Sequence, residues 1–376
     1  MNISKIVLVN FRNFASKIIE FSDMISVIVG DNASGKTNIL EAINLLATGK
    51  SFKAKVEEEM VGYDADIARI SALIEGKPYM VDREENLTAK ANRSRIKLEV
   101  VLTRGKIKVG ENPDKYEKVA RKKLSVNGVG KRLIDFAGNF NVVLFSPSDM
   151  DIITESPSVR RKFLDTVLSQ SDREYRRALH AYEKGLRQRN RLLIRIREEG
   201  LSRSQLLFWN SILIKNGDFI SNSRQNFIDF INAMKPLNSQ TFRVIYDNSA
   251  ISGERLEQYS KEETAAGTTL VGPHRDDIVI KIKDQKSKIN KDRDLSKYGS
   301  RGEQRMGVLF LKLSELSFLE KITQDKPVLL LDDIFSELDH EHRDVVMTAV
   351  KGRQVIITTA DPHFVVGMKR IEKIKI

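Results

Sequence analysis

The chain of 376 residues contains no cysteine, one tryptophan and five histidines. The absence of cysteine excludes disulfides, thiol nucleophiles and cysteine-ligated zinc, and it is consistent with a reducing compartment. The histidines are scattered along the chain without an HExxH pattern or another ligand spacing. This distribution argues against a metal site built from histidine.

Long apolar runs are also missing. No stretch approaches the ~18 consecutive apolar residues that a membrane span requires. The first residues lack the apolar core of a signal peptide. We therefore expect a soluble, cytoplasmic protein that does not span a membrane.

Acidic residues are outnumbered by basic ones. The 63 Lys and Arg residues exceed the 51 Asp and Glu residues, which leaves a formal net charge of +12. Such an excess favours a polyanionic partner, either nucleic acid or an acidic membrane surface. Residues 77–132 alone hold 16 basic and 7 acidic residues. They form either a basic binding face or an ordinary solvated surface.

Hydrophobic periodicity divides the chain into a sheet-rich, a helical and a second sheet-rich part. Strands are predicted at 3–11, 18–21, 25–29, 67–74, 96–103, 242–246, 278–282, 328–331 and 355–357. Helical patterns cover 38–47, 156–200, 204–234 and 303–320, and 284–294 is predicted to be a polar turn region. At roughly 150 residues per domain, the length predicts two or three domains. We place them at 1–150, 151–267 and 268–376, with the middle one an inserted helical arm.

Residues 30–37, Gly-Asp-Asn-Ala-Ser-Gly-Lys-Thr, match the phosphate-loop pattern G-x-x-x-x-G-K-[ST]. An apolar strand precedes the motif and a helical pattern follows it. In such loops, backbone N–H groups and the helix N-terminus surround the phosphates of a nucleotide. We expect Lys36 to reach the β- and γ-phosphates of ATP and the Thr37 hydroxyl to ligate Mg²⁺. The predicted nucleotide-binding residues here are Gly30, Asp31, Asn32, Ala33, Ser34, Gly35, Lys36, Thr37 and Asn38.

A second acidic motif follows the apolar run 328–331. A carboxylate at the end of a buried strand can hold Mg²⁺ directly or through water, which is the role predicted for Asp332. The next residue, Asp333, is predicted to orient the attacking water. Because aspartate has a shorter reach than glutamate, we expect turnover on the order of one per minute, against ~10 per second for typical enzymes.

The segment 300–305, Ser-Arg-Gly-Glu-Gln-Arg, precedes the helical pattern at 303–320. Ser300, Gly302, Glu303 and a helix N-terminus predict another anion site. One triphosphate does not need two such sites in one chain. The economical explanation is a head-to-tail homodimer in which this signature segment closes over the γ-phosphate held by the other subunit. The predicted catalytic residues are then Lys36, Asp332, Asp333 and Ser300.

These motifs resemble those of ATP-binding-cassette ATPases. The segment 300–305 resembles their signature, 336–339 their D-loop, and Thr358-Thr359 stand where that superfamily has its switch residue. About 260 residues separate the phosphate loop from the signature segment. In transporter ATPases, the resemblance implies a separation of only about a hundred residues. In chromosome-structuring ATPases it implies a much longer insertion, which forms a very long coiled coil.

Further motifs in the same order resemble the RecF family of bacterial recombination-mediator ATPases along essentially the whole chain. They are residues 10–13 (Asn-Phe-Arg-Asn), 40–43, 49–52, 145–149, 156–165, 272–277 and 331–339. The chain departs from the family pattern at Ala33, where glycine is usual, at Lys53, where arginine is common, and at Ser148, where an acidic residue is usual.

The resemblance implies an α/β fold, an ABC-type P-loop ATPase head with mixed sheet and an inserted, mainly helical arm. It implies ATP-dependent dimerisation on double-stranded DNA and single-strand/double-strand junctions. It also implies cooperation with RecR, and with RecO and RecA through it. By the same resemblance Arg12 and Asn13 lie near the nucleotide, although a plain turn at a strand end remains an alternative, and 146–149 stands in the place of the Q-loop.

Two other functions remain open at this point. A transport-coupled ATPase subunit would use the same motifs with its basic charge facing a membrane partner. A small-molecule kinase would use the phosphate loop but would leave the segment 300–305 unexplained. For residues 272–277 the sequence predicts only a tight, charged turn.

Overall fold

The structure is a computed structural model that describes residues 1–79, 92–108, 116–283, 292–336, 340–361 and 371–376. Up to residue 147, its strands are β1 (Asn2–Phe11), β2 (Phe14–Glu20), β3 (Ile25–Val29), β4 (Ile67–Tyr79), β5 (Asn92–Thr103), β6 (Lys106–Lys108), β7 (Tyr116–Lys118), β8 (Lys122–Val126), β9 (Val129–Lys131) and β10 (Val142–Phe145). The helices of this part are α1 (Lys36–Thr48) and α2 (Leu133–Phe136).

The middle of the chain is mainly helical. Its helices are α3 (Asp151–Thr154), α4 (Pro157–Ser171), α5 (Arg173–Glu199), α6 (Leu207–Asn232), α7 (Gly253–Gln258), α8 (Ser260–Ala266), α9 (Leu295–Tyr298) and α10 (Arg301–Thr323). Its strands are β11 (Phe242–Asp247), β12 (Asp277–Lys283) and β13 (Asp292–Asp294). The remaining elements are β14 (Val328–Asp332), α11 (His340–Val350), β15 (Val355–Thr359) and β16 (Ile371–Lys375).

The chain divides into two compact units. The first unit comprises Met1–Pro147 and Leu319–Ile376, and the second unit comprises Ser148–Phe318. The first boundary lies three residues before the expected one at 150. The predicted arm, however, ends at 267, whereas the second unit continues to Phe318 and contains the signature segment. Residues 268–318, which the sequence assigns to the ATPase head, lie in the second compact unit. Their assignment to the head stays a prediction.

A parallel sheet lies at the centre of the first unit, with strand order β10-β14-β15-β3-β16. Three of these strands read ISVIV, VLLLD and VIITT, and nearly all of their residues are buried. Continuous apolar strands of this kind are typical of parallel sheets covered on both faces. The carboxyl ends of β3 and β14 lie at the same edge of the sheet. The phosphate loop and Asp332 therefore emerge on the same side.

A second, antiparallel sheet in the first unit has the order β2-β1-β4-β5-β8-β9. Its alternating residues Ile6, Leu8, Ile70 and Val100 share one apolar core with α1. Together the parallel sheet, the antiparallel sheet and the helices confirm the predicted α/β class of mixed sheet content.

The second unit is organised around the hairpin of α5 and α6. The side chain of Arg189 on α5 is fully buried and donates to Asn210, Thr269 and Glu263 at 2.6–2.8 Å. The predicted helical stretch 156–200 is two helices, because Asp172 ends α4 and caps α5 by accepting from the backbone N–H of Glu174. In the part of the chain that the structure describes, no helix has the length and apolarity to cross a bilayer.

The segment 284–294, predicted to be a turn region, ends in a strand. Residues 292–294 form β13, which pairs with β12, so this portion of the prediction is wrong. The pairing register places Arg293 opposite Ile282. Residues 284–291 lie outside the described residues, as do residues 337–339 of the predicted D-loop.

Candidate nucleotide site

The phosphate loop leads directly into α1. Gly35 occupies the N-cap position with a φ of 104°, a backbone conformation that favours glycine, and no side chain caps the helix. The first N–H groups of α1 are thus left for an anion. The Lys36 side chain is buried and donates through Nζ to the carbonyl oxygens of Gly30 at 2.7 Å and Asp31 at 2.8 Å. The ammonium group is held at the loop where phosphates are expected to bind.

Close packing fixes the loop. A Cβ added to Gly30 would lie 2.7 Å from Oγ of Ser34, and one added to Gly35 would lie 2.6 Å from Nδ2 of Asn13. Oγ of Ser34 is buried without a hydrogen-bond partner. Ala33 has a φ of 66°, so alanine here occupies the left-handed region, which glycine adopts more readily. A polar, tightly packed loop with an unsatisfied hydroxyl fits a phosphate-bearing ligand.

Asn13 holds the loop from outside. Its Nδ2 donates to the carbonyl of Ser34 at 3.0 Å, and its Oδ1 accepts from Nδ2 of Asn38 at 2.8 Å. Oδ1 of Asn38 in turn accepts from Nζ of Lys53 at 3.1 Å. The structure therefore brings Asn13 to the predicted site, and Asn32 lies exposed on the loop.

The Thr37 hydroxyl donates to Oδ1 of Asp332 at 2.9 Å, and Thr358 donates to the same oxygen at 2.7 Å. One hydroxyl and one carboxylate suit Mg²⁺, which keeps most of its ligands as water and phosphate oxygens. No group of three or more His, Cys, Asp or Glu residues among those the structure describes is arranged to hold a metal ion. Thr37 and Asp332 therefore fit a Mg²⁺ ion that arrives together with a nucleotide.

Asp333 adopts a φ of 50°, which aspartate tolerates better than most residues. Its backbone N–H donates to the carbonyl oxygen of Thr358 at 3.1 Å and approaches the Thr358 hydroxyl at 3.2 Å. Thr358 therefore links Asp332 and Asp333, a connection for which the motif comparison gave only a weak signal.

Arg12 contacts a buried carboxylate. Its Nε and one terminal nitrogen donate to the two carboxylate oxygens of Glu41 at 2.8 and 2.7 Å, and the other nitrogen donates to the carbonyl of Glu59 at 2.7 Å. Ser51 adds a 2.5 Å hydrogen bond to Glu41. Glu41 lies on α1 and is completely buried. The motif 40–43 contains Glu41, but the sequence assigned this residue no role, because its pairing with Arg12 and Ser51 is set by tertiary packing.

The signature segment lies in the second unit. Ser300 donates its backbone N–H to Glu303 at 2.8 Å, and Glu303 donates its own to the Ser300 hydroxyl at 3.3 Å. This is a capping box, whose S-x-x-E pattern is visible in the sequence. Arg293, which sequence reasoning missed, donates to Glu303 at 2.5 Å.

Comparison with known proteins identifies the relatives of this fold. A family model described as the RecF/RecN/SMC N terminal domain matches residues 2–376. The chain is 32% identical to DNA replication and repair protein RecF of Herpetosiphon aurantiacus, over 99% of this chain and 97% of that protein. It is 34% identical to the RecF of Thermoanaerobacter pseudethanolicus, over 98% and 96% of the two chains.

The chain belongs to the RecF family. A solved structure of the recombination mediator protein RecF with ATP, in the RecFOR pathway, matches with a TM-score of 0.81 at 32% identity over 96% of this chain and 92% of that one. A second RecF structure of that pathway, "RecF-ATPrS", gives 0.82 at 31% identity over 100% and 96%. The family and the fold class predicted from the sequence are both confirmed.

Proposed function

We propose that this chain is a DNA-binding, ABC-type ATPase of recombinational repair and replication restart. It binds ATP through residues 30–38, with Lys36 on the β- and γ-phosphates. The observation that carries the proposal is the Thr37 hydroxyl 2.9 Å from Asp332, beside a phosphate loop, in a chain of the RecF family. Thr37 and Asp332 would hold Mg²⁺, and Asp333 would orient the attacking water.

ATP binding is proposed to drive dimerisation. The signature segment of one subunit would close over the γ-phosphate held by the other, through Ser300, Gly302 and the N-terminus of α10. The paired form would bind double-stranded DNA and single-strand/double-strand junctions, and slow hydrolysis would release it. RecR would be the direct partner, with RecO and RecA engaged through it, in the cytoplasm. Membership of the RecF family supports this reading over a transporter subunit or a small-molecule kinase.

The dimerisation step is tested by light scattering with and without ATP and Mg²⁺. Lys36→Ala removes the phosphate-binding ammonium, and we expect this variant to stay monomeric. Ser300→Arg blocks the signature segment that would close over the γ-phosphate of the other subunit. This variant should bind ATP nearly as the parent protein does and still fail to dimerise. Normal pairing by Lys36→Ala, or a parent protein that stays monomeric at saturating ATP, would contradict the proposal.

The DNA step is tested by comparing duplex affinity with ATP and with ADP. We expect tighter binding with ATP, and a steep fall in affinity as salt rises, because the contacts are to phosphate. The same DNA affinity with both nucleotides would remove the support for an ATP-driven DNA switch.

A further inference from the structure

The exposed face of α5 carries a continuous row of basic side chains, which we call the α5 basic stripe. Its members recur every three or four residues and are all exposed: Arg173, Arg177, His180, Lys184, Arg187, Arg191 and Arg195. At about 3.6 residues per turn they fall within an arc of about 80°. The opposite side of the helix carries buried residues such as Tyr175, Tyr182 and Arg189. The stripe is roughly 33 Å long, because a helix rises about 1.5 Å per residue.

The charge of the stripe is largely left unbalanced by the chain itself. Residues 173–197 contain nine Lys and Arg residues and two Glu residues. Two members of the stripe pair with glutamates of the same helix, at 3.0 and 2.9 Å. Lys184, Arg187 and Arg191, in its middle, form no ion pair with any residue that the structure describes. Like charges at these spacings destabilise a helix, whereas a face that only meets solvent commonly mixes both signs. A polyanion would neutralise this row.

The dimensions and composition of the stripe fit the backbone of duplex DNA. Its length is close to one turn of B-DNA, about 34–36 Å, along which a negative charge occurs every ~1.7 Å. Five of its seven members are arginine, whose planar fork of N–H donors suits phosphate oxygens. The row contains no aromatic side chain on which an unpaired base could stack. The apolar side of α5 is buried within the second unit, so it is not available to enter a membrane surface.

We propose that the α5 basic stripe binds the phosphates of double-stranded DNA without nucleotide and in a single copy of the chain. All of its residues lie on one helix of the second unit, so its geometry requires neither the phosphate loop nor a second subunit. Contacts to phosphate carry no sequence information, so every duplex is a ligand. The inference rests on the proposed DNA-binding function and adds to it a contact that persists between ATP cycles. A chain that has lost its nucleotide stays on the duplex weakly, and ATP-driven pairing tightens the hold.

Neutralisation of the middle of the stripe tests this contact. Binding of the full chain to a fluorescent duplex of about three helical turns is followed by anisotropy, without nucleotide and at concentrations where light scattering shows single copies. For the triple variant Lys184→Gln, Arg187→Gln and Arg191→Gln we expect at least about tenfold weaker binding at low salt. The slope of log affinity against log salt should become shallower by about three, close to one for each lost phosphate contact. Its circular dichroism should match that of the parent protein, because only exposed side chains change.

A matched control separates the stripe from net charge. The triple variant Lys215→Gln, Lys235→Gln and Lys261→Gln loses the same charge from exposed positions of the second unit outside the stripe, and it should bind the duplex as the parent protein does. Equal weakening of the two triple variants would overturn the inference.

Two results with the parent protein would also overturn the inference. One is the absence of duplex binding without nucleotide, and the other is binding to phosphatidylserine vesicles in preference to the duplex. Neither result bears on the ATP-driven step. The proposed function fails instead if the parent protein binds the duplex equally well with ATP and with ADP, so the two failures are distinguishable.

Discussion

Arg12 illustrates how a residue predicted to lie near the nucleotide can act through the scaffold. Its guanidinium is committed to both oxygens of Glu41 and to the carbonyl of Glu59, and only 15% of its side chain is exposed. Arg12 itself has a φ of 54°, a strained conformation for arginine. The pair fixes α1 to the strand end that carries Asn13, and so it positions the phosphate loop.

Arg12→Ala should destabilise the first unit by about 3 kcal/mol, because it leaves the buried carboxylate of Glu41 without its charge partner. Urea unfolding followed by circular dichroism measures the loss. Lys5→Ala is the control, since Lys5 pairs with an exposed Glu20 and should cost less than about 1 kcal/mol. Equal losses of unfolding free energy in the two variants would show that the buried pair stabilises the first unit no more than an exposed pair does.

His274 is a partly buried, neutral imidazole. Its Nε2 lies 3.0 Å from the carbonyl oxygen of Thr269, which can only accept, so Nε2 carries the proton and Nδ1 accepts from the Tyr182 hydroxyl at 2.7 Å. Burial lowers the pKa of His274 to about 4, although its bond to Thr269 opposes that shift. The proton therefore binds the unfolded chain more readily than the folded one.

The second unit should consequently lose stability in acid. Between pH 6.5 and pH 4 the unfolded histidine is protonated and the folded one is not, so the free energy of unfolding falls as the pH falls, by about 3 kcal/mol in total. Trp209 is the only tryptophan of the chain and lies in this unit, so its fluorescence reports the transition. His274→Gln should flatten this pH dependence, while replacement of the exposed His180 should not.

At the scale of elements, residues 272–277 join several parts of the second unit. Asp276 is fully buried and accepts from Arg224 of α6 at 2.8 Å and from the hydroxyl of Tyr246 on β11. Arg224 also donates to Asp165 of α4 at 2.7 Å, and Asp277 receives two hydrogen bonds from Arg160. The segment is therefore a hub that joins one buried ion pair, Arg224 with Asp276, to two partly buried ones.

Removal of the shared cation tests the hub. Arg224→Met leaves two carboxylates without their partner, and we expect a loss of about 3–5 kcal/mol in the second unit, read from Trp209 fluorescence in urea. Arg195→Met removes an exposed pair with Glu199 and should cause no measurable change. A small effect of Arg224→Met would show that water or rearrangement replaces the network.

The elements that sequence reasoning predicted are those with local causes. The strand 25–29, the loop with Gly35 and the helix after it were predicted within two residues, because strand, turn and helix signals are adjacent in the chain. The hub at 272–277 was not, since its partners Asp165 and Arg224 are brought to it only by tertiary packing. The break at Asp172 was also missed, because apolar spacing continues across it.

At the scale of the whole molecule, the two units differ in whether their residues form one continuous stretch of the chain. The second unit is one uninterrupted segment, Ser148–Phe318, with its own buried residues such as Phe163, Tyr175 and Phe227. We expect a fragment of these residues to fold alone and to unfold cooperatively, with Trp209 buried to the same degree as in the full chain. A fragment without a cooperative transition would contradict this independence.

The first unit lacks such independence, since β3 lies between β15 and β16 and pairs Ile25 with a residue some 330 positions further on. During translation the phosphate loop emerges from the ribosome early, while both strands that flank β3 follow more than 300 residues later. The loop therefore acquires its supporting sheet only after β15 and β16 have been synthesised. A chain that stops before β15 would carry the whole phosphate-loop motif without the two strands that flank β3, and we expect it to be unable to bind nucleotide.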